Sequence, residues 1–153
     1  MEIPTKLVSF SLGSNLGDKK QNITTAINKL DAQVGKIIEI SDFFISKPLG
    51  FFSENNFVNC CCNLRTNLGI QELISITQGI ENEMGRKKLK INEYEDRIID
   101  IDIVFFDNEI INCSEVRIPH KNFRKRDFVL FPLKQLSNRI DPETFITIDQ
   151  FTK

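Results

Sequence analysis

The chain has 153 residues, 41% of them hydrophobic and 27% charged, with a formal net charge of −1. That is room for a single domain, 1–153, with a genuine core, and it leaves no global field to attract nucleic acid or an acidic membrane. No apolar run of 18 residues occurs and Met1–Lys6 lacks an apolar leader segment, so a cytoplasmic protein that neither spans nor binds a membrane is expected.

In chain order, Leu7–Leu12 alternates and is rich in strand formers, which predicts a strand broken at Gly13-Ser14-Asn15-Leu16-Gly17. Asp18, three residues before Gln21, is a helix-starting pair. Ile23, Ala26, Ile27 and Leu30 then fall at helical spacing. Ile37, Ile38, Ile40, Phe43, Phe44 and Ile45 predict a second strand, and the Pro, Gly and Asn content of 46–56 predicts a loop. Phe57–Arg65 is a third strand, with Phe57, Asn59, Cys61 and Asn63 on one face. The consecutive Cys60, Cys61 and Cys62 therefore point to alternate sides, and they are read as small buried hydrophobes, neither disulfide nor zinc ligands. A second helix is predicted from near Gly69 to Met84, with Leu73, Ile76, Ile80 and Met84 inward and Gly85 as its stop. Arg86–Asp96 is a polar, charged loop. Ile98–Phe106 is an apolar fourth strand interrupted by two aspartates. The tail holds short strands and a helix from Phe128 to Leu136, in which Pro132 requires a kink or an early boundary. The order β-α-β-β-α-β predicts an α+β fold with a ferredoxin-like core, an antiparallel sheet with helices packed on it.

Asp100 and Asp102 carry the strongest chemical signal. Two apart on a strand, they share a face roughly 7 Å apart, and their Ile and Val neighbours make joint desolvation costly unless a divalent cation is present. Hard oxygen ligands favour Mg²⁺ when a polyphosphate completes the shell. The bland alternative is an edge strand with its polar face in water. Arg86 and Arg97 bracket the charged loop, and His120 and Arg126 follow the last strand; arginine forks suit phosphate oxygens, while solvated surface is the default for Lys87, Lys88, Lys90, Arg124 and Lys125. The glycine-bearing turn at 13–17 matches neither G-x-x-x-x-G-K-[ST] nor G-x-G-x-x-G, and a tight turn explains it. Phe57 and Asn59 offer a ring and an amide to a flat heterocycle, though a strand Phe is more often core.

Taken together, Ser11–Asp18, Pro48-Leu49-Gly50, Phe57-Val58-Asn59, Gln78–Glu81, Gly85-Arg86, Arg97–Ile103, Ile118-Pro119-His120 and Arg126-Asp127-Phe128 resemble the 6-hydroxymethyl-7,8-dihydropterin pyrophosphokinases of folate biosynthesis, from about Leu7 to Leu136. The resemblance implies an enzyme that transfers the terminal diphosphate of ATP to the pterin hydroxymethyl group and releases AMP. It implies two Mg²⁺ on Asp100 and Asp102, ATP held by Gln78, Glu81, Ile103, His120 and Arg126, and Arg86 and Arg97 acting on the transferring group. It also implies a reduced pterin between Phe57 and Phe128, read by Asn59 and by the backbone of Ser46 and Leu49. The partners expected are ATP and the pterin, with the chain a monomer.

Departures from the family pattern are Glu95-Asp96 where Gly-Pro is usual, Tyr94 where Trp is common, a charged loop one residue longer, Phe57 for Tyr, and Arg117 and Lys121 beside His120. The acidic pair bears on nucleotide affinity and on closure of that loop. Two rivals stand at this level. A nucleotidyltransferase would release pyrophosphate, and its Gly-Ser turn and D-x-D lie closer in sequence than Ser14 and Asp100 do. An RNA-binding module shares the fold plan, but its sheet would not carry paired aspartates.

Overall fold

Alternation puts Val8, Phe10 and Leu12 on one side of the first strand and Ser9, Ser11 and Gly13 on the other. A computed structural model describes residues 4–48, 53–86, 96–137 and 139–151. This first strand, β1 (Lys6–Ser14), runs two residues further than its apolar pattern predicts, because Gly13 pairs with both Asn59 and Asp100 on the strands flanking it. The turn falls later, at Gly17, whose φ of 69° favours glycine. Asp18 then accepts from the Gln21 N–H at 3.2 Å and opens α1 (Lys19–Gln33), which buries Ile23, Ala26, Ile27 and Leu30 as their spacing predicts.

The second strand is two strands. β2 (Lys36–Ile40) and β3 (Phe44–Ser46) both pair with β4 (Phe57–Thr66), and the break between them is Ser41. Its N–H donates to the Cys61 carbonyl and its hydroxyl accepts from the Cys61 N–H, each at 2.9 Å, so a side chain stands where a ladder carbonyl would be.

In α2 (Ile70–Glu83) the buried stripe is Leu73, Ile74, Thr77 and Ile80, while Ile76 and Met84 are only partly covered. The inward face is rotated because Thr77 satisfies its hydroxyl on the Ile74 carbonyl at 3.0 Å and can be buried. β5 (Asp100–Phe106) follows, then a hairpin of β6 (Ile111–Asn112) and β7 (Arg117–Ile118), and finally α3 (Asp127–Lys134). Pro132 lies inside α3, and the helix ends two residues after it, short of Leu136.

The sheet order β2-β4-β1-β5, antiparallel throughout and with β3 added beside β4, is the ferredoxin-like arrangement. Its two faces differ. Val8, Phe10, Leu12, Cys60, Cys62, Ile101 and Ile103 pack beneath α1 and α2, whereas Cys61, Val104, Phe105 and the apolar side of α3 form a second cluster across the sheet. The three consecutive cysteines thus alternate between faces as free thiols. Among the described residues no helix is long and apolar enough to cross a membrane.

Candidate active site

Ile101 and Ile103 anchor β5 in the core under the helices, so Asp100 and Asp102 are turned to the opposite face. The register sets Asp100 beside Gly13 and Asp102 beside Ser11, and on the far side of β1 Gly13 pairs with Asn59 and Ser11 with Cys61. One row across three strands therefore reads Asn59, Gly13, Asp100. Beyond Asp102 the pairing slips: Phe10 opposes Ile103 and Ser9 opposes Phe105, leaving Val104 as a bulge. The Val104 carbonyl accepts from the His120 N–H at 3.1 Å, which docks the segment after β7 at the edge of β5. His120 Nε2 stands 3.9 Å from an Asp102 oxygen.

Charge is unevenly shared here. Asp100 pairs with Arg86 at 2.9 Å and with Arg97 at 3.5 Å, and Arg86 also grips Glu81. Glu81 accepts from the Ile101 N–H at 3.0 Å, and burial, eased by Arg86, pushes its carboxyl above the ordinary range. Burial opposes charge on Arg86 too, but Asp100 and Glu81 hold its affinity for the proton above normal. Among the described residues Asp102 has no arginine paired to it in this way. Burial first, then the nearby Asp100 and Glu81, hold it well above the usual carboxylate range, against the weaker pull of Arg126 and Arg86. Burial, reinforced by Arg126, brings His120 down to about 4. It is a neutral imidazole at physiological pH, and its Nδ1 accepts from the Asn122 N–H at 3.3 Å, so Nε2 carries the hydrogen toward Asp102.

A cleft of about 460 Å³ opens over these groups, walled by Gln78 and Glu81 of α2, Asp100, Asp102 and Ile103 of β5, and Arg117, His120 and Lys121 beyond. The structure brings together Gln78, Glu81, Arg86, Asp100, Asp102, Ile103 and His120, all singled out from the sequence. Arg97 and Arg126 are not on its walls. Arg97 sits against Asp100, and Arg126 lies at the start of α3 with its guanidinium 5.5 Å from the centre of the Phe128 ring. Asp96 is absent from the walls as well, and its carboxylate accepts from the Asn15 and Asn55 amides.

Across β1, Asn59 is buried, and its amide donates to the Phe44 carbonyl at 3.2 Å and to the Ser46 hydroxyl at 2.8 Å. Ser46 pairs with Phe57, and both Phe57 and Phe128 are half-buried. α3 is laid over this face of β4, with the Cys61 thiol 3.7 Å from the Val129 carbonyl. Leu49 lies outside the described residues, as do Tyr94 and Glu95. Gly13, expected in the turn, lies within β1: a Cβ there would stand 3.3 Å from Asn59 Oδ1 and 3.5 Å from the Phe57 ring, so glycine keeps the floor between amide and aspartates open. Strand alternation carried past Leu12 is the signal that could have found it.

The donor set fits Mg²⁺. Two hard carboxylates share a face, the nearby arginines only partly offset the charge of one of them, and among the described residues no third His, Cys, Asp or Glu joins them in a closed ligand set. A cation held here would complete its shell from polyphosphate and water.

A family model described as 7,8-dihydro-6-hydroxymethylpterin-pyrophosphokinase matches residues 9–138. The chain belongs to that family. It is an ATP-dependent pyrophosphokinase acting on hydroxymethyldihydropterin in folate biosynthesis. It is 38% identical over 139 residues to the 2-amino-4-hydroxy-6-hydroxymethyldihydropteridine pyrophosphokinase of Porphyromonas gingivalis, covering 90% of this chain and 95% of that protein. It is 36% identical over 133 residues to the Aquifex aeolicus protein of the same description, covering 87% and 81%. Among solved structures, Plasmodium falciparum HPPK-DHPS with pteroate superposes with a TM-score of 0.66 at 16% identity, a likeness of fold. It covers 88% of this chain but 39% of that one, so in that protein the domain is part of a longer chain.

Proposed function

We propose that Asp100 and Asp102 hold two Mg²⁺, that the cleft beside them takes ATP, and that the face bearing Phe57 and Asn59 takes the pterin. The observation that carries this is the row Asn59, Gly13, Asp100, which sets a buried amide and a metal-seeking carboxylate on one floor, with a cleft at its edge.

Bound Mg²⁺ supplies charge neutralisation for the polyphosphate and for the paired carboxylates. The protein's own share is binding and alignment. Gln78, Glu81 and Ile103 line the nucleotide's cleft, His120 offers a neutral Nε2–H, and Arg126 adds positive charge near Asp102. Arg86 and Arg97, poised on Asp100, present donors that phosphate oxygens can claim as negative charge develops. Phe57 and Phe128 stack on the pterin, while Asn59 with the Ser46 and Leu49 backbone reads its edge. No general base is required if the hydroxymethyl oxygen is held in line with the β-phosphorus. The products are AMP and the pterin diphosphate. We read 1–153 as one domain, monomeric and cytoplasmic.

Calorimetric titration of Mg²⁺ in the presence of a non-hydrolysable ATP analogue tests the metal assignment. Two ions per chain are expected, and one or none overturns it. In steady-state assays, Phe57→Ala should raise the KM for the pterin about tenfold with the KM for ATP unchanged; equal shifts in both would move the pterin elsewhere.

A further inference from the structure

The strands that carry the site end close to one another, and the Asp96 carboxylate lies among those ends. Asn15 follows the last residue of β1, Asn55 stands two before the first residue of β4, and Asp96 stands four before the first of β5. One Asp96 oxygen accepts from the Asn15 amide at 2.7 Å, and the other accepts from the Asn55 amide at 3.2 Å. Asn15 is wholly buried. Its own N–H donates to the Arg97 carbonyl at 3.0 Å, and its Oδ1 accepts from the Arg97 N–H at 2.7 Å. Hydrogen bonds, the largest from Ser53, keep the Asp96 carboxyl below its ordinary value, so it is ionised at neutral pH.

We infer that Asp96 is a positioning residue, whose carboxylate clasps Asn15 and Asn55 and so fixes Arg97 against Asp100 and Phe57 at the mouth of the pterin site. The inference rests on the residue roles proposed above. Bonds to an ionised acceptor are roughly twice as strong as neutral ones, and removing the acceptor leaves the amide of buried Asn15 with only the Asn55 carbonyl, at a longer 3.4 Å. The family resemblance leads one to expect proline at this position, and proline offers no side-chain acceptor. This chain uses a long-range polar tie in its place. Displacement of a reacting group by even 1 Å can cost on the order of a hundredfold in rate.

The test combines steady-state kinetics, read as AMP release, with calorimetric binding of a non-hydrolysable ATP analogue. Asp96→Ala should lower kcat/KM for the pterin about 30-fold, mostly in kcat, within the range of such misplacement, while analogue affinity stays within about twofold, because Asp96 is not on the cleft wall. Asp96→Asn, which retains an acceptor oxygen for Asn15, should recover most of that loss. Asn55→Ala added to Asp96→Ala should cost little beyond the single change. Wild-type kinetics in Asp96→Ala, parallel loss of analogue binding, an Asn variant as impaired as Ala, or additive losses in the double variant would each overturn the clasp. Failure of the pterin assignment shows separately, as unchanged pterin KM in Phe57→Ala.

Discussion

Asp141 and Asp102 are both aspartates drawn out of bulk water by the fold, yet their carboxyls shift in opposite directions. Arg124 forks onto Asp141 at 2.6 and 2.9 Å, the Thr144 hydroxyl donates at 2.9 Å and the Glu143 N–H at 3.0 Å. Burial alone would raise this carboxyl, and those donors bring it below its ordinary value. Around Asp102 the balance runs the other way. Arg86 and Arg97 are spent on Asp100 and Glu81, Arg126 offsets the Asp102 charge only weakly, and its closest ion-pair partner among the described residues is a neutral imidazole. The fold neutralises one aspartate from within and leaves the other less compensated, which on the roles proposed above separates a carboxylate that holds structure from one that holds metal.

The largest effect that would break this contrast is on rate. Asp102→Ala should lower AMP production by about three orders of magnitude, the several kcal/mol expected of a metal ligand, with a melting temperature equal to or above wild type because a repulsive charge is gone. Loss of fold in this variant would make Asp102 a second Asp141. Asp141→Ala should do the reverse, losing about 3 kcal/mol of stability by urea titration as Arg124 loses its two-pronged partner and keeps only Glu143, with kcat unchanged wherever the protein is folded. A smaller effect follows from pH. The folded Asp141 carboxyl titrates below its unfolded value of about 3.9, so its contribution is complete above that value and is lost as pH falls through the lower, folded one. The urea midpoint should therefore drop less steeply between about pH 5 and pH 2 in Asp141→Asn than in wild type; identical slopes would mean the Arg124 clasp is not what Asp141 provides. The smallest change probes the row itself. Gly13→Ala should raise the pterin KM about fivefold, roughly 1 kcal/mol, leaving the ATP KM alone, since its Cβ presses on Asn59 and Phe57 and not on the cleft.

Local signals carried far in this sequence and long-range ones did not. The α1 stripe was legible because Ile23, Ala26, Ile27 and Leu30 repeat at the helix period, and the aspartate pair because two acids interrupt an otherwise apolar strand. The break between β2 and β3 was hidden because it depends on Ser41 finding Cys61, 20 residues on. The α2 stripe was misjudged by part of a turn because a threonine, polar on paper, is satisfied by its own helix. Asp141 drew no notice, since nothing near it in sequence announces an arginine 17 residues earlier. Asp96 was read as acidity beside ATP because its partners, 81 and 41 residues away, are visible only once the strands are paired.

Pairing also makes the sheet a ruler. From Asn59 through Gly13 to Asp100 is two inter-strand steps of about 4.8 Å, so the span from amide to carboxylate, roughly 10 Å, is set by backbone hydrogen bonding. Insertions in surrounding loops leave that span alone, which lets the connections vary while the distance from Asn59 to Asp100 is kept. The measure has one weakness: a slip of a single residue between β1 and β5 would turn Asp100 and Asp102 into the helix-covered core and Ile101 and Ile103 out of it, so on the roles proposed above pairing in the correct register is itself a condition of activity.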